Sequence, residues 1–228
     1  MPSSLIAVLY VGWFVATLVV VLVGAARLAG RLPVTGQGPL LVAASSALVF
    51  QVFHTGEHAV QALHWTVSDR AVPWLSTWAA SISDGLTVLC GSAVCGPEWL
   101  HLIGNAMFWL GLWAVRLSSR AGWIAWGRAW AVAFGVQTAH VAEHVVLTTT
   151  AELGGRALGV TSLFGTLTAG SPSEVALRVW AHFGINAVAT SAMLVAVVAE
   201  HRRRADATVI GTLRPPSVDR RWSPMPMA

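Results

Sequence analysis

The sequence predicts an all-α integral membrane protein with five transmembrane helices: one N-terminal helix, then a four-helix bundle built from two repeated helical hairpins. Of its 228 residues, 55% are hydrophobic and only 11% are charged, whereas soluble domains carry about 25% charged residues. Five stretches are apolar over the roughly 20 residues that cross a bilayer. A pattern of polar residues also occurs twice along the chain, which predicts a structural repeat.

The five predicted spans cover residues 4–26, 40–63, 98–117, 124–149 and 176–199, and we number them 1 to 5. Span 1 is too long and too apolar for a signal peptide, so we expect a retained helix. The chain then divides into an N-terminal helix (1–30), a first hairpin with an external loop (38–120), a second hairpin (121–201) and a tail (202–228). The tail is rich in Pro and Arg, which predicts a disordered cytoplasmic segment.

The basic residues predict the orientation of the spans. All 14 are arginines, and eleven of them fall on one side of the five-span arrangement, against Arg70, Arg156 and Arg178 on the other. By the positive-inside rule, the N-terminus lies outside the plasma membrane and the C-terminus lies in the cytoplasm. Topology thus accounts for the net charge of +4, and a nucleic-acid partner has no remaining support. The expected partner is the lipid bilayer.

Residues 72–97 are fairly apolar, but Asp84, several Ser and Gly, and two prolines interrupt them. We interpret this stretch as an external loop, with a re-entrant loop as the alternative. It contains Cys90 and Cys95, the only cysteines. An oxidising exterior favours a disulfide between them, and a pair of free thiols is the alternative.

The repeat consists of two polar motifs, each present twice. Spans 2 and 4 both read Q-x-x-H-x-x-E-H, and spans 3 and 5 both read W-x-H-x-x-x-N-A. The repeated polar residues are Gln51, His54, Glu57, His58, His101 and Asn105 in the first copy and Gln137, His140, Glu143, His144, His182 and Asn186 in the second. Spans 2–3 and 4–5 are therefore two parallel copies of one hairpin, related by an axis along the membrane normal.

Helical geometry brings the repeated residues together. Residues at i, i+3 and i+4 share a helix face, so each His-x-x-Glu-His set points in one direction. At a rise of about 1.5 Å per residue, all six imidazoles and both carboxylates lie at one level, toward the outer side. Ionisable groups within a membrane normally face the bundle interior, where they pair or bind a ligand. Hydrogen-bonded helix contacts alone are the structural alternative.

The composition of this set predicts a dinuclear metal centre. Imidazole binds Zn, Cu, Fe and Ni, and we expect two ions, iron or copper rather than zinc. The six histidines are the predicted ligands, and Glu57 and Glu143 are predicted ligands, bridges or catalytic bases. Gln51, Gln137, Asn105 and Asn186 are predicted to hold the imidazole tautomers. Haem ranks lower, because bis-histidine haem would use only two or four histidines and leave both glutamates unexplained.

The predicted function is O₂-dependent oxidation, by hydroxylation or desaturation, of a hydrophobic or lipid substrate. In chemistry the site is similar to that of histidine-rich membrane di-iron hydroxylases and desaturases, although the usual spacings of their histidine boxes are absent. The chain has no Gly-rich nucleotide loop, so a quinol or an electron-donor protein would supply electrons. The alternatives are a zinc-dependent lipid hydrolase and a metal- or haem-binding membrane subunit without enzymatic activity.

Overall fold

The computed structural model of the chain describes residues 2–30, 38–68, 76–91, 95–118, 127–154 and 173–213, and within these ranges all regular secondary structure is α-helical. The helices are α1 (Ser3–Leu28), α2 (Gly38–Ser68), α3 (Thr77–Cys90), α4 (Cys95–Ser118), α5 (Gly127–Gly154) and α6 (Ser173–Leu213). The prediction of an all-α protein is confirmed.

Four helices contain segments long and apolar enough to cross a membrane: Ser3–Leu28, Gly38–His64, Gly96–Ser118 and Val179–Ala199. They correspond to predicted spans 1, 2, 3 and 5. Predicted span 4 falls on α5. This helix has 28 residues, which is long enough to cross a membrane, but it is not among the four helices that also meet the apolar requirement. Polar side chains face inward and apolar ones outward: Phe53 is 68% exposed, and the next residue, His54, is 5% exposed. This pattern is consistent with a membrane protein.

Helices α2, α4, α5 and α6 form a closed ring, in which α2 packs on α4, α4 on α5, α5 on α6 and α6 on α2. Contacts between α2 and α6 join Gln51 to Asn186 and His58 to His182, so these neighbours are antiparallel. Contacts between α4 and α5 show the same reversal. Exchanging α2 with α5 and α4 with α6 maps the ring onto itself, as expected for a duplicated hairpin.

Helix α3 lies within residues 72–97, so the prediction of an irregular loop is wrong for Thr77–Cys90. The Ser76 side chain caps this helix by accepting a hydrogen bond from Ala79 N, and Gly91 ends it in the left-handed conformation. Helix α3 packs on α1 and α4, with Ile82 and Leu86 buried and Asp84 exposed. Of the residues that favoured a loop, Asp84 lies on the exposed side of this amphipathic helix, whereas Ser83 and Gly85 are buried in its contacts. Residues 72–75 and 92–94 lie outside the described ranges.

Two further expectations concern the cysteines and the tail. Cys90 is disulfide-bonded, as its short spacing from the only other cysteine predicts. The backbone of α6 continues to Leu213, beyond residue 202, where the composition predicts a disordered tail to begin. Residues 214–228 lie outside the described ranges.

Gly111 sets the distance between α2 and α4. A Cβ atom at this position would overlap the Cβ of Ala47, whereas a Cβ at Gly135 on α5 would meet nothing within 4 Å. We expect Gly111→Ala to destabilise the protein by about 1–3 kcal/mol, the usual cost of overpacking. Gly135→Ala is the matched control and should be neutral or slightly stabilising, because alanine favours helix. Unfolding of the detergent-solubilised variants measures both, and equal stabilities would contradict this account of the α2–α4 contact.

A candidate metal centre in the helix bundle

Six imidazoles meet inside the ring of four helices. Two each come from α2 and α5, and one each comes from α4 and α6. They belong to His54, His58, His101, His140, His144 and His182. Ring centroids of contacting pairs are 4.4–6.3 Å apart, and every ring touches at least two others. The structure therefore brings together all six histidines that the repeat singles out.

The ring contacts follow the twofold relation between the halves. His101 touches His54 and His58 of its own half, and His144 and His182 of the other. The set around His182 matches: His140 and His144 of its own half, and His58 and His101 across. His101 and His182 thus occupy the centre of the cluster, with one histidine pair on each side. The duplication is visible in side-chain packing as well as in sequence.

The ligand atoms of the second half are already close together. One nitrogen from each of His140, His144 and His182 lies within 4.8 Å of the other two. The His140 and His144 Nε2 atoms are 3.1 Å apart, and the His54 and His58 Nε2 atoms are 3.2 Å apart. Zinc–nitrogen bonds of about 2.0–2.1 Å at tetrahedral angles place two ligand nitrogens about 3.3–3.4 Å apart. Each pair therefore nearly has the spacing of two ligands on one ion.

The two glutamates are the remaining ionisable residues of the repeated motifs. Glu57 and Glu143 are buried, but Glu57 Oε1 accepts a hydrogen bond from the backbone N–H of Ser76 at 2.8 Å. Glu57 thereby fixes the segment that leads into α3. The three converging ligand atoms of the second half do not include a Glu143 oxygen. Among the described residues, neither carboxylate belongs to the group of converging ligand atoms.

The four buried amides form a separate layer beside the histidines. Gln51 Nε2 donates to Asn186 Oδ1 at 2.7 Å, and Gln137 Nε2 donates to Asn105 Oδ1 at 2.9 Å. Each asparagine Nδ2 also donates to the backbone oxygen of the histidine four residues earlier. The two Gln–Asn bonds link helices, and none of these four bonds is to an imidazole ring.

Other groups orient the imidazoles. His58 Nδ1–H donates to Gln61 Oε1 at 2.7 Å, and His101 Nδ1–H donates to the Pro97 oxygen at 2.7 Å. Sequence reasoning missed Gln61, although it follows His58 by three residues and so shares its helix face. Phe50 stacks on the His54 ring at 5.8 Å, and its position before the first motif gave no comparable signal.

Beyond the amide layer, large apolar side chains pack in the bundle interior. Phe108 and Leu112 of α4 pack there with Trp130 of α5 and Met193 of α6. Phe108 lies three residues beyond Asn105, and Leu112, Trp130 and Met193 lie seven residues from the amide of their own helix, which is about two helical turns. The histidine cluster is therefore closed at this end by an amide layer and then by packed apolar side chains.

The chain belongs to the family described as "Family of unknown function (DUF6008)", whose model matches residues 2–221. No curated protein and no solved structure matches it.

The amide pairs give a test of the repeat. Gln137→Leu removes the donor to Asn105 and should destabilise the protein by about 1–3 kcal/mol, because a buried acceptor loses its partner. The double variant Asn105→Leu/Gln137→Leu should cost less than the sum of the two single variants. Gln51→Leu is the matched change in the other half and should have a similar effect. Unfolding in mixed detergent micelles measures these values, and strict additivity would show that the pair is not coupled.

Proposed function

We propose that this member of the family is an integral-membrane metalloprotein whose histidine cluster binds transition-metal ions. The observation that carries the proposal is the convergence of His140, His144 and His182, whose ligand nitrogens lie within 4.8 Å of one another. Hydrogen bonds between imidazoles are the alternative. They account poorly for His140 and His144. In a neutral pair that shares one Nε2 proton, one of the two rings carries its own proton on Nδ1, and neither buried Nδ1 atom has a hydrogen-bond partner among the described residues.

Two ions fit the donor set better than one. The His54–His58 pair repeats the Nε2 spacing of the His140–His144 pair. The His101 ring contacts the first pair, and the His182 ring contacts the second pair in the same way. Each half therefore offers three imidazoles. The proposed first-half site is His54, His58 and His101, and the proposed second-half site is His140, His144 and His182.

The donor set favours copper among the possible ions. Nitrogen donors bind copper more tightly than other divalent first-row ions. Iron loses support, because Glu57 is bonded to Ser76 and Glu143 is not among the converging ligand atoms. Haem also loses support, because contacting imidazole rings only 4.4–6.3 Å apart would have to separate to admit a macrocycle.

The proposed reaction is O₂-dependent oxidation of a hydrophobic substrate. A pair of copper ions held by the six histidines would supply redox chemistry with oxygen. Electrons would come from a quinol or a donor protein. Metal transport is disfavoured, because the Phe108–Leu112–Trp130–Met193 packing closes the far end of the bundle.

A zinc hydrolase is the second candidate. Three protein ligands with one open position are typical of catalytic zinc, and the second half supplies three converging histidines. Glu57 is the weaker candidate for the general base, because it accepts a hydrogen bond from Ser76, and Glu143 is the candidate in the same half as the three converging histidines.

We further propose that α5 is the fifth span, with the N-terminus outside and the C-terminus in the cytoplasm of a plasma membrane. Helix α5 completes the ring between α4 and α6, so it must lie at the same depth as its neighbours. Its lower apolar content follows from the buried polar residues Gln137, His140, Glu143 and His144.

Metal content tests the centre directly. Untagged protein purified in detergent should contain about two equivalents of copper per chain, measured by elemental analysis. His140→Ala/His144→Ala and His54→Ala/His58→Ala should each lose about one equivalent while remaining in the membrane. His64→Ala, at a histidine of α2 outside the two repeated motifs, is the control and should retain both. Full metal retention by both double variants would disprove the site.

Oxygen uptake separates the two enzyme classes. The copper-loaded protein should consume O₂ when given a quinol and a lipid substrate, and both double variants should lose this activity, because each lacks one ion of the pair. Zinc content with ester or amide hydrolysis, and no O₂ uptake, would instead establish the hydrolase.

A further inference from the structure

The two halves of the histidine cluster differ at one matched position. Residues in α2 correspond to residues 86 positions later in α5, as His58 corresponds to His144. Gln61 therefore corresponds to Leu147, and both side chains are buried. The polar member of this pair contacts the cluster, because Gln61 Oε1 accepts the hydrogen bond from His58 Nδ1. The apolar member offers no acceptor, and His144 Nδ1 has no hydrogen-bond partner within the part of the chain that the structure describes.

This difference decides which nitrogen of each imidazole is ready to bind an ion. An Nδ1–H bond to an oxygen acceptor fixes the tautomer and leaves the Nε2 lone pair available. His58 Nε2 is therefore the accepting atom of the 3.2 Å contact with His54. Metal-bound histidines almost always donate their second N–H in this way, and loss of the outer partner weakens binding about 10–100-fold. His144 lacks this support.

We propose that Gln61 makes the two metal sites unequal: the first-half site holds its ion tightly, and the second-half site exchanges its ion more readily. This inference rests on the proposed metal-binding function. Gln61 acts as a positioning residue through His58. The first-half ion is then the resident ion of the pair. The second-half ion, held by His140, His144 and His182, is the more labile partner and the one more open to added ligands.

Zinc binding to single-site proteins tests this inequality without redox chemistry. His140→Ala/His144→Ala leaves the first-half site, and His54→Ala/His58→Ala leaves the second-half site. Each protein is stripped of metal and titrated with Zn²⁺ in competition with a chelator. The first-half site should bind Zn²⁺ about 10–100-fold more tightly than the second-half site. Equal affinities, or a tighter second-half site, would overturn the proposal.

Changes at the matched position then assign the cause. In the first-half protein, Gln61→Leu should weaken Zn²⁺ binding about 10–100-fold, whereas Gln61→Glu keeps an acceptor oxygen and should retain tight binding. In the second-half protein, Leu147→Gln should strengthen binding and Gln61→Leu should change nothing. A purely structural role for Gln61 predicts that Gln61→Glu also fails or that the second-half protein is equally affected.

The outcomes separate this inference from the proposed function. If neither single-site protein nor the unaltered protein binds Zn²⁺, the metal centre itself is disproved. If both sites bind Zn²⁺ and Gln61→Leu leaves the first-half affinity unchanged, only the role of Gln61 is disproved. Helical circular dichroism and thermal unfolding of each variant distinguish lost binding from lost folding, and Gln61→Glu keeps the question answerable if Gln61→Leu unfolds.

Discussion

A polar side chain inside a hydrocarbon layer has no water to bond with, so it must find its partner within the protein. The structure depends on this constraint at ten positions: the six clustered histidines and the four amides are at most partly exposed and face one another inside the ring. Apolar side chains such as Phe53 face outward instead. The orientation of each helix in the ring therefore follows from where its polar residues must point.

Duplication answers this constraint with the same helix-joining amide bonds in both halves, although the Oε1 atoms of Gln51 and Gln137 have no hydrogen-bond partner among the described residues. The Gln51–Asn186 and Gln137–Asn105 bonds each join helices of different halves, so neither hairpin can satisfy its own amides. The histidines also join the halves, because His101 and His182 each contact imidazole rings of both hairpins. The interlocked contacts make the two hairpins one bundle rather than two adjacent units. They also place the histidine pairs on either side of a common centre.

The symmetry ends where the halves meet different surroundings. Helix α1 packs mainly on α3 and α4, and the Tyr10 hydroxyl donates to the Leu100 oxygen at 2.9 Å. Gly104 permits this approach, since a Cβ there would meet Tyr10 and Phe50. Glu57 ties the start of the α3 segment to the first half. Gln61 adds a second difference, and it acts on the histidines themselves.

The sequence by itself determined the helical class, four of the spans, the repeat and the meeting of six histidines, because these depend on composition and on residue spacing along single helices. The spacing of His54 and His58 alone places both imidazoles on one face. Only the tertiary structure decided which groups pair. Glu57 shares that face but bonds to Ser76, the amides bond to one another, and α3 forms a helix against α1 and α4. Such choices depend on side-chain rotamers and on which helices are neighbours, and residue spacing within a helix specifies neither.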